Sequence, residues 1–368
     1  MATGEVLVVG AGFAGCTAAR ALADAGLTIL LIDKREHIGG NAFDKLDDAG
    51  VLVHPYGPHI FHTNSDRVLS FLGRFTSWRP YEHRSLTAVK GRLVPFPINI
   101  DTLNATFDLD LDERTIGQYL ASVSANLSDP IDSEQYLLSS VGRQIYELFF
   151  LGYTRKHWGV HPSSLSASVM RRVPIRFNRD DRYFLDRHQL MPSDGYTAMF
   201  RRMLDHDGIS LQLGTPFDCT LRSRAFTHTV YTGSISDYYN NIYGTLPYRS
   251  VRVELVHYAG VDRLLPAGSI NHPGSEAHTR TSEFKYLTGQ VHSGTTICRE
   301  YPGSDGEPSY PIPTDKNEAM YKSYRSLADR ESSVSFVGRL AEYRYYNMDQ
   351  VVASALKLAE RLSSRLRR

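Results

Sequence analysis

The feature that most constrains this chain is how it begins. Glu5 to Val9 reads as a buried strand, and Gly10-Ala11-Gly12-Phe13-Ala14-Gly15 follows at once. An Ala-rich helix then runs to about Ala25, and Gly26 stands where a C-terminal glycine belongs. Thr28 to Ile32 is a second apolar strand with Asp33 at its end. Strand, glycine-rich turn, helix and acid-ended strand together open a dinucleotide-binding fold. The glycines allow the tight turn and let backbone N–H groups approach a pyrophosphate at the helix N-terminus. The Asp33 carboxylate can accept hydrogen bonds from a ribose diol. Gly10, Gly12, Phe13, Gly15, Asp33 and Lys34 are therefore candidate cofactor contacts.

This opening leaves NAD and FAD both available. Gly39-Gly40-Asn41 comes next. In flavoproteins resembling the amine-oxidase type, such a pair follows the acid and lies under the same cofactor. Near the other end, Val334 to Val337 reads as a buried strand, followed by Gly338-Arg339 and a helix from about Asp349 to Arg365. A helix N-terminus near Asn347 to Val351 suits a flavin, whose pyrimidine ring gathers negative charge on reduction. FAD is the expected cofactor and NAD the alternative.

Charge narrows the partners. Lys plus Arg (41) balances Asp plus Glu (40), a formal net charge of +1, which argues against nucleic acid or an anionic membrane. The opening segment lacks a basic n-region and its apolar stretch runs into Arg20 and Asp24, so neither signal peptide nor membrane insertion is expected. The widely spaced Cys16, Cys219 and Cys298 exclude a disulfide framework and a zinc ribbon; they fit a reducing cytosol, and a cytoplasmic location is expected. A length of 368 residues exceeds one simple core, so subdomains are expected. The odd number is 22 Tyr against 16 Phe and 2 Trp. Tyr joins a flat apolar body to a polar tip, which suits a wet cleft.

Between the two ends the pattern changes twice. Tyr81 to Ile100 is β-like, with a Lys90-Gly91 hairpin turn. From Leu111 to about Gly152 the spacing is helical: Leu137, Val141, Ile145 and Leu148 recur, after Ser133 as N-cap. Residues 154–182 show no clean period and read as a loop region. Val230 to Leu287 and Gly294 to Arg299 read as short strands. The expected fold is α/β. A discontinuous Rossmann-like FAD-binding domain (1–75, 190–230 and 330–368) carries an inserted helical-bundle domain (100–165) and an antiparallel β-sheet, substrate-binding domain (76–99, 166–189 and 231–329).

Several stretches then become specific: YGPHIFHT (Tyr56 to Thr63), PFPIN (Pro95 to Asn99), GYTRKHWG (Gly152 to Gly159), RRVPIRF (Arg171 to Phe177), DDRYF (Asp180 to Phe184), TRTSEFK (Thr279 to Lys285) and VGRLAEYRYYNMDQ (Val337 to Gln350). In order, and across nearly the whole chain, they resemble UDP-galactopyranose mutase of the short bacterial type. The resemblance implies an isomerase that interconverts UDP-galactopyranose and UDP-galactofuranose and feeds galactofuranose into cell-surface glycans. It implies FAD that must be reduced, by NAD(P)H or another donor, although the reaction has no net redox change. Flavin N5 would attack the anomeric carbon, UDP would leave, and a flavin–sugar iminium would let the ring open and reclose through a different hydroxyl. No side-chain nucleophile is then required. The resemblance also implies a homodimer or higher homo-oligomer, with helices between Leu111 and Gly152 offering an interface.

The same resemblance places residues. A diphosphate needs converging cations, and Arg forks suit phosphate oxygens. Motif position assigns Arg172 and Arg280 to this work, with Arg171 and Arg176 as competitors for the place of Arg172. Tyr153, Tyr183, Tyr310 and Tyr345 match hydroxyls around the nucleotide. Phe149, Phe150 and Trp158 would wall a uridine pocket, with Thr154 as a polar contact and Asn271 as a uridine- or sugar-side amide. Helix core is the rival reading for Phe149 and Phe150. His83 stands where many members have Asn, and Asn347 where many have Asp; both are expected beside the pyrophosphate or sugar. His59 and His62 are expected beside the flavin, with His62 accepting from N5 as a catalytic group. With His54 they are not read as a metal site. Gly40, Asn41, Ile60, Arg339, Tyr346, Met348, Asp349, Gln350 and Val351 complete the expected FAD contacts. Ser163 to Ser168, between Pro162 and Pro174, reads as a lid that carries Arg172 over the substrate. The rivals are an FAD oxidase or dehydrogenase, which does not need two phosphate-reading arginines, and a UDP-sugar-binding flavin sensor, which does not need flavin reduction.

Overall fold

The computed structural model describes residues 5–366; residues 1–4 and 367–368 of the expected terminal segments lie outside the described residues. β1 (Val6–Val9), α1 (Phe13–Asp24) and β2 (Ile29–Ile32) form the expected opening, with the strands parallel and Val6 opposite Ile29. They belong to a five-stranded parallel sheet in the order 209–212, 29–32, 6–9, 228–231, 334–336. Its central strands are buried on both faces, which is why VLVV and ILLI show no alternation. One face is covered by α1, the helix Tyr196–Leu204 and the C-terminal helix Met348–Leu366. The other face packs on the helix Asp315–Ala328 and on the segment around Tyr238 and Leu246.

That second layer corrects the expected boundary, which put all of 231–329 in the antiparallel domain. Tyr238, Leu246, Tyr324 and Ala328 share one apolar cluster with Leu7, Leu30 and Phe336 of the parallel sheet. The helix is hard to see in sequence because Tyr reads as half polar, yet Tyr324 is fully buried here.

A seven-stranded sheet runs in the order 310–311, 248–258, 295–303, 280–283, 269–271, 85–89, 92–96. Lys90 (φ 49°) and Gly91 (φ 73°) both take the left-handed conformation that a two-residue hairpin turn requires. The sheet is antiparallel except where Ser269–Asn271 pairs in parallel with Ser85–Val89. These two strands come from separate insertions, so no hairpin dictates their direction. The β-like reading to Ile100 ends early, because Asn99 caps the helix Ile100–Phe107 by accepting from Thr102 N. A small antiparallel sheet is formed by Phe61–Thr63, His188–Pro192 and Trp78–Pro80.

The helical block contains Ile116–Val123 and Ser133–Ile145, then a π-helical turn Tyr146–Leu151 and the helix Gly152–Trp158. Asp132, not Ser133, is the N-cap: its carboxylate accepts from Gln135 N at 2.8 Å. The Ser133 hydroxyl donates instead to Ser166 O at 2.7 Å. Residues 154–158, expected as loop, are helical, as is Ala167–Met170. The helix Gly152–Trp158 is pinned by Lys156, whose Nζ donates to the carbonyls of His272 (2.6 Å), Gly274 (3.0 Å) and Glu276 (2.9 Å).

Gly152 makes this approach possible. A Cβ there would lie 2.1 Å from Pro273 O. In an open helix Gly→Ala gains about 1 kcal/mol, but overpacking against fixed backbone costs about 1–3 kcal/mol. Gly152→Ala is therefore expected to lower the thermal midpoint. A midpoint equal to or above the parent's would show that the helix has room to move.

Candidate functional site

A cavity of about 580 Å³ opens between the helical block, the seven-stranded sheet and the start of the C-terminal helix. The structure brings to it Arg172, Arg280, His62 and His83, the rings of Phe149, Phe150, Tyr153, Trp158, Tyr183, Tyr310 and Tyr345, and Thr154, Asn271 and Asn347. His59, Ile60, Arg339, Met348 and Gln350 line it as well.

Arg280 sits on the strand Arg280–Glu283, where the sheet aims it into the cavity. Its Nη2 donates to the Tyr153 hydroxyl at 3.0 Å and its Nε to Asn271 Oδ1 at 3.3 Å, and Glu300 Oε2 lies 3.6 Å away. Burial pushes the Glu300 carboxyl up, and Arg280 draws it the other way. Burial also raises the Tyr153, Tyr183 and Tyr310 hydroxyls, so all remain protonated donors at neutral pH.

The Asn271 amide is oriented from below. Its Nδ2 donates to Ser85 Oγ at 3.2 Å, which also accepts from Ser269 Oγ at 2.9 Å. Ser269 in turn lies 2.9 Å from His83 Nε2, and His83 Nδ1 lies 2.9 Å from the Tyr81 hydroxyl. His83, expected beside the pyrophosphate or sugar, lines the cavity with both ring nitrogens engaged in this framework.

At the far end, Phe149 and Phe150 lie on the π-helical turn, with Thr154 and Trp158 on the next helix. The two Phe are 3% and 4% exposed and Trp158 is 3% exposed, so all three are core residues whose edges also face the cavity. The choice between core and pocket was a false one for these rings.

Arg171 and Arg172 both line the cavity, and Arg172 is the one tied to the segment before the C-terminal helix. Its guanidinium donates to Tyr345 O and to Asn347 Oδ1 and lies 4.3 Å from the Tyr345 ring centroid. Arg176 instead donates to Asp180 O at 2.8 Å, and Arg171 sits over Tyr136. The expected lid is folded onto the helical block through Leu165, Val169 and Met170.

The flavin side is built from glycines. A Cβ on Gly15 would lie 1.7 Å from Gly10 O, one on Gly40 3.0 Å from Gly12 Cα, and one on Gly338 2.9 Å from Ala14 Cβ. No side chain caps α1 and no acid lies in its first turn, so those N–H groups are available to an anion. Asp33 accepts from Ala11 N (2.7 Å) and Arg35 N (2.9 Å) and keeps a lone pair on each oxygen for a ribose hydroxyl. This cradle fits FAD. Several expected contacts point elsewhere: Phe13 stacks edge-on with Phe200, Lys34 pairs with Glu307, and Asn41 accepts from Arg35. Tyr346 lines a second groove, Asp349 accepts from Thr63, and Val351 is core.

His62 Nδ1 lies 2.7 Å from Asp186 Oδ2, and its ring stacks on Phe184 at 3.8 Å. That hydrogen bond holds the Asp186 carboxyl below its usual range. With Nδ1 donating, Nε2 is left as an acceptor. His59 Nδ1 lies 2.8 Å from Gly57 O, and burial brings its pKa down to about 3. Asp186, Glu300, His157, Ser85 and Ser269 were not anticipated. Isolated polar residues carry no periodic signal, although GYTRKHWG already held His157.

The buried neutral histidines give a pH effect with a definite sign. Burial, with Arg280 nearby, lowers His83 from 6.5 to about 3. Below pH 6.5 the unfolded chain takes up a proton that the folded chain refuses, so stability falls as pH falls. Between pH 6.5 and 5 one such group contributes about 2 kcal/mol. His83→Asn is expected to lose less thermal midpoint than the parent on going from pH 7 to pH 5. Equal losses would show that His83 titrates normally in the folded protein.

Among the described residues, no helix is long and apolar enough to cross a membrane. Family models for UDP-galactopyranose mutase and for an NAD(P)-binding Rossmann-like domain match residues 148–345 and 8–75. A probable UDP-galactopyranose mutase from Klebsiella pneumoniae is 38% identical, over 98% of this chain and 95% of its own. A dTDP-fucopyranose mutase from Escherichia coli is 34% identical over 97% of each chain. The crystal structure of reduced UDP-galactopyranose mutase superposes with a TM-score of 0.78 at 16% identity, covering 99% of this chain and 96% of that one. A putrescine oxidase superposes with a TM-score of 0.61 at 17% identity, over 98% of this chain and 99% of that one. The structural likenesses establish the fold, and the sequence matches go further: the chain belongs to the UDP-galactopyranose mutase family.

Proposed function

We propose that this protein binds FAD and interconverts UDP-galactopyranose and UDP-galactofuranose when that FAD is reduced. The observation that carries the reading is the convergence of Arg280, Arg172 and four Tyr side chains (Tyr153, Tyr183, Tyr310 and Tyr345) on one cavity with an aromatic far end. A diphosphate between a base and a sugar matches that sequence of environments. Bound reduced FAD supplies the nucleophile for the anomeric carbon and is regenerated, so no electrons are consumed.

The chain's own groups do the rest. Arg280 and the Tyr153 hydroxyl are held in place before substrate arrives, so they meet the charge of the departing UDP without reorganisation. Arg172 closes over the mouth from Tyr345 and Asn347 and keeps water from the opened sugar. His62, held by Asp186, accepts a proton at Nε2 on the flavin side. Gly10, Gly12, Gly15 and Gly40 would hold the pyrophosphate of FAD, which NAD(P)H or another donor would reduce. A homodimer through the helical block belongs to the same reading, and Val123 (40%), Leu127 (42%) and Ile131 (78%) are exposed there. A cytoplasmic location fits a substrate made from cytoplasmic nucleotide.

The test incubates UDP-galactofuranose with the FAD-loaded protein, with and without dithionite, beside dTDP-fucofuranose. Conversion of the UDP sugar only after reduction is expected. Turnover without reduction, or of the dTDP sugar alone, would overturn the reading. Arg280→Ala is expected to keep its flavin absorbance and to lose at least 100-fold in turnover, about 2.7 kcal/mol or more of barrier. Near-parent turnover would remove Arg280 from the chemistry.

A further inference from the structure

His157 lies where base end and diphosphate end meet. On the helix Gly152–Trp158, Thr154 and Trp158 face the aromatic end, while Tyr153 faces Arg280. The imidazole stacks on Tyr153 at 5.8 Å, tilts against Tyr310 at 5.2 Å and stands edge-on to Trp158 at 5.1 Å. It lines the cavity. Its carbonyl accepts from Arg249 Nε at 2.9 Å, but neither ring nitrogen has a hydrogen-bond partner among the described residues. Polar groups walled in by aromatic rings ordinarily have partners, and here the open side is the ligand's.

The partner's chemistry follows from the protonation state. Burial, with Arg280 and Arg249 close by, holds His157 neutral, down to about 3. A neutral imidazole offers one donor and one acceptor. Phosphate oxygens only accept, whereas a hydroxyl both donates and accepts. In a nucleoside diphosphate the group between base and phosphates is the ribose, and the hydroxyl nearest the base is the 2′-hydroxyl. Resting on the reading of the cavity as a nucleotide-sugar site, we propose that His157 reads the ribose 2′-hydroxyl and makes this protein prefer ribonucleotide over 2′-deoxyribonucleotide sugars.

The experiment titrates FAD-loaded protein with UDP and with 2′-deoxy-UDP by calorimetry. Base and phosphates are the same in both, so only the hydroxyl differs. The parent is expected to bind UDP about tenfold more tightly, the size of one well-made hydrogen bond. His157→Phe keeps the aromatic packing and is expected to weaken UDP to the level of 2′-deoxy-UDP. His157→Gln, which restores a donor and an acceptor, is expected to recover part of the gap. If the Phe variant fails to fold, His157→Ala gives the same readout. Equal binding of the two nucleotides by the parent, or a gap that survives in the Phe or Ala variant, overturns the assignment while leaving the proposed reaction intact. Failure of the parent to bind UDP at all overturns both.

Discussion

The guanidinium of Arg280 is a permanent charge held inside the cavity with three-quarters of its side chain out of contact with solvent, and the surrounding elements are arranged to make that tolerable. Moving such a charge out of water costs several kcal/mol, recovered only when its donors are matched. Tyr153, Asn271 and Glu300 supply the matching groups from a helix and two further strands. Because Asn271 is oriented by Ser85, and Ser85 accepts from a serine that touches His83, the direction of every hydrogen bond back to Tyr81 is set. A protonated His83 would offer two donors and break that order, so its burial in neutral form is part of what aims the guanidinium.

This dependence explains the architecture. Arg280 and Asn271 need the sheet, Tyr153 needs the helical block, and the flavin cradle needs the parallel sheet. Close approaches that only glycine permits join the helical block to the sheet and tighten the cradle itself. Gly152 brings its helix against Pro273, Gly40 meets Gly12, and Gly338 meets the start of α1. Lys156 and Arg249 then fix the helix Gly152–Trp158 to the sheet by donating to loop and helix carbonyls. The cavity is therefore a product of inter-element packing rather than of any one motif.

That origin also decides what could be read in advance. The βαβ opening, the Lys90-Gly91 hairpin and the C-terminal helix were legible because turn glycines and short-range periodicity specify them locally. The π-helical turn was not. It follows a break at Gly142 (φ 76°), where a Cβ would lie 2.1 Å from Val123 O, a tertiary contact. The helix Asp315–Ala328 was lost to the wrong layer because its buried residues are Asn317, Tyr324 and Ala328, which make no aliphatic stripe. Arg172 and Arg280 were found by their motifs, but Glu300 and Asp186 looked like any solvated acid. Only the pairing with Arg280 and His62 distinguishes them.

The tyrosine excess shows how one residue type serves opposite needs. Behind the parallel sheet, Tyr324 and Tyr343 are 0% and 6% exposed. Their hydroxyls donate to Gly244 O and Pro247 O, each at 2.7 Å. There the polar tip satisfies a loop carbonyl and the ring fills core. Elsewhere the rings of Tyr153, Tyr183, Tyr310 and Tyr345 line the cavity, where the Tyr153 hydroxyl accepts from Arg280. Phe would fill either place and satisfy neither, because a bare ring has no donor for a buried carbonyl or a phosphate oxygen. A wet cleft alone therefore does not account for the excess. The core behind the dinucleotide fold uses such hydroxyls to close its loops, and the cavity uses one of them to hold Arg280.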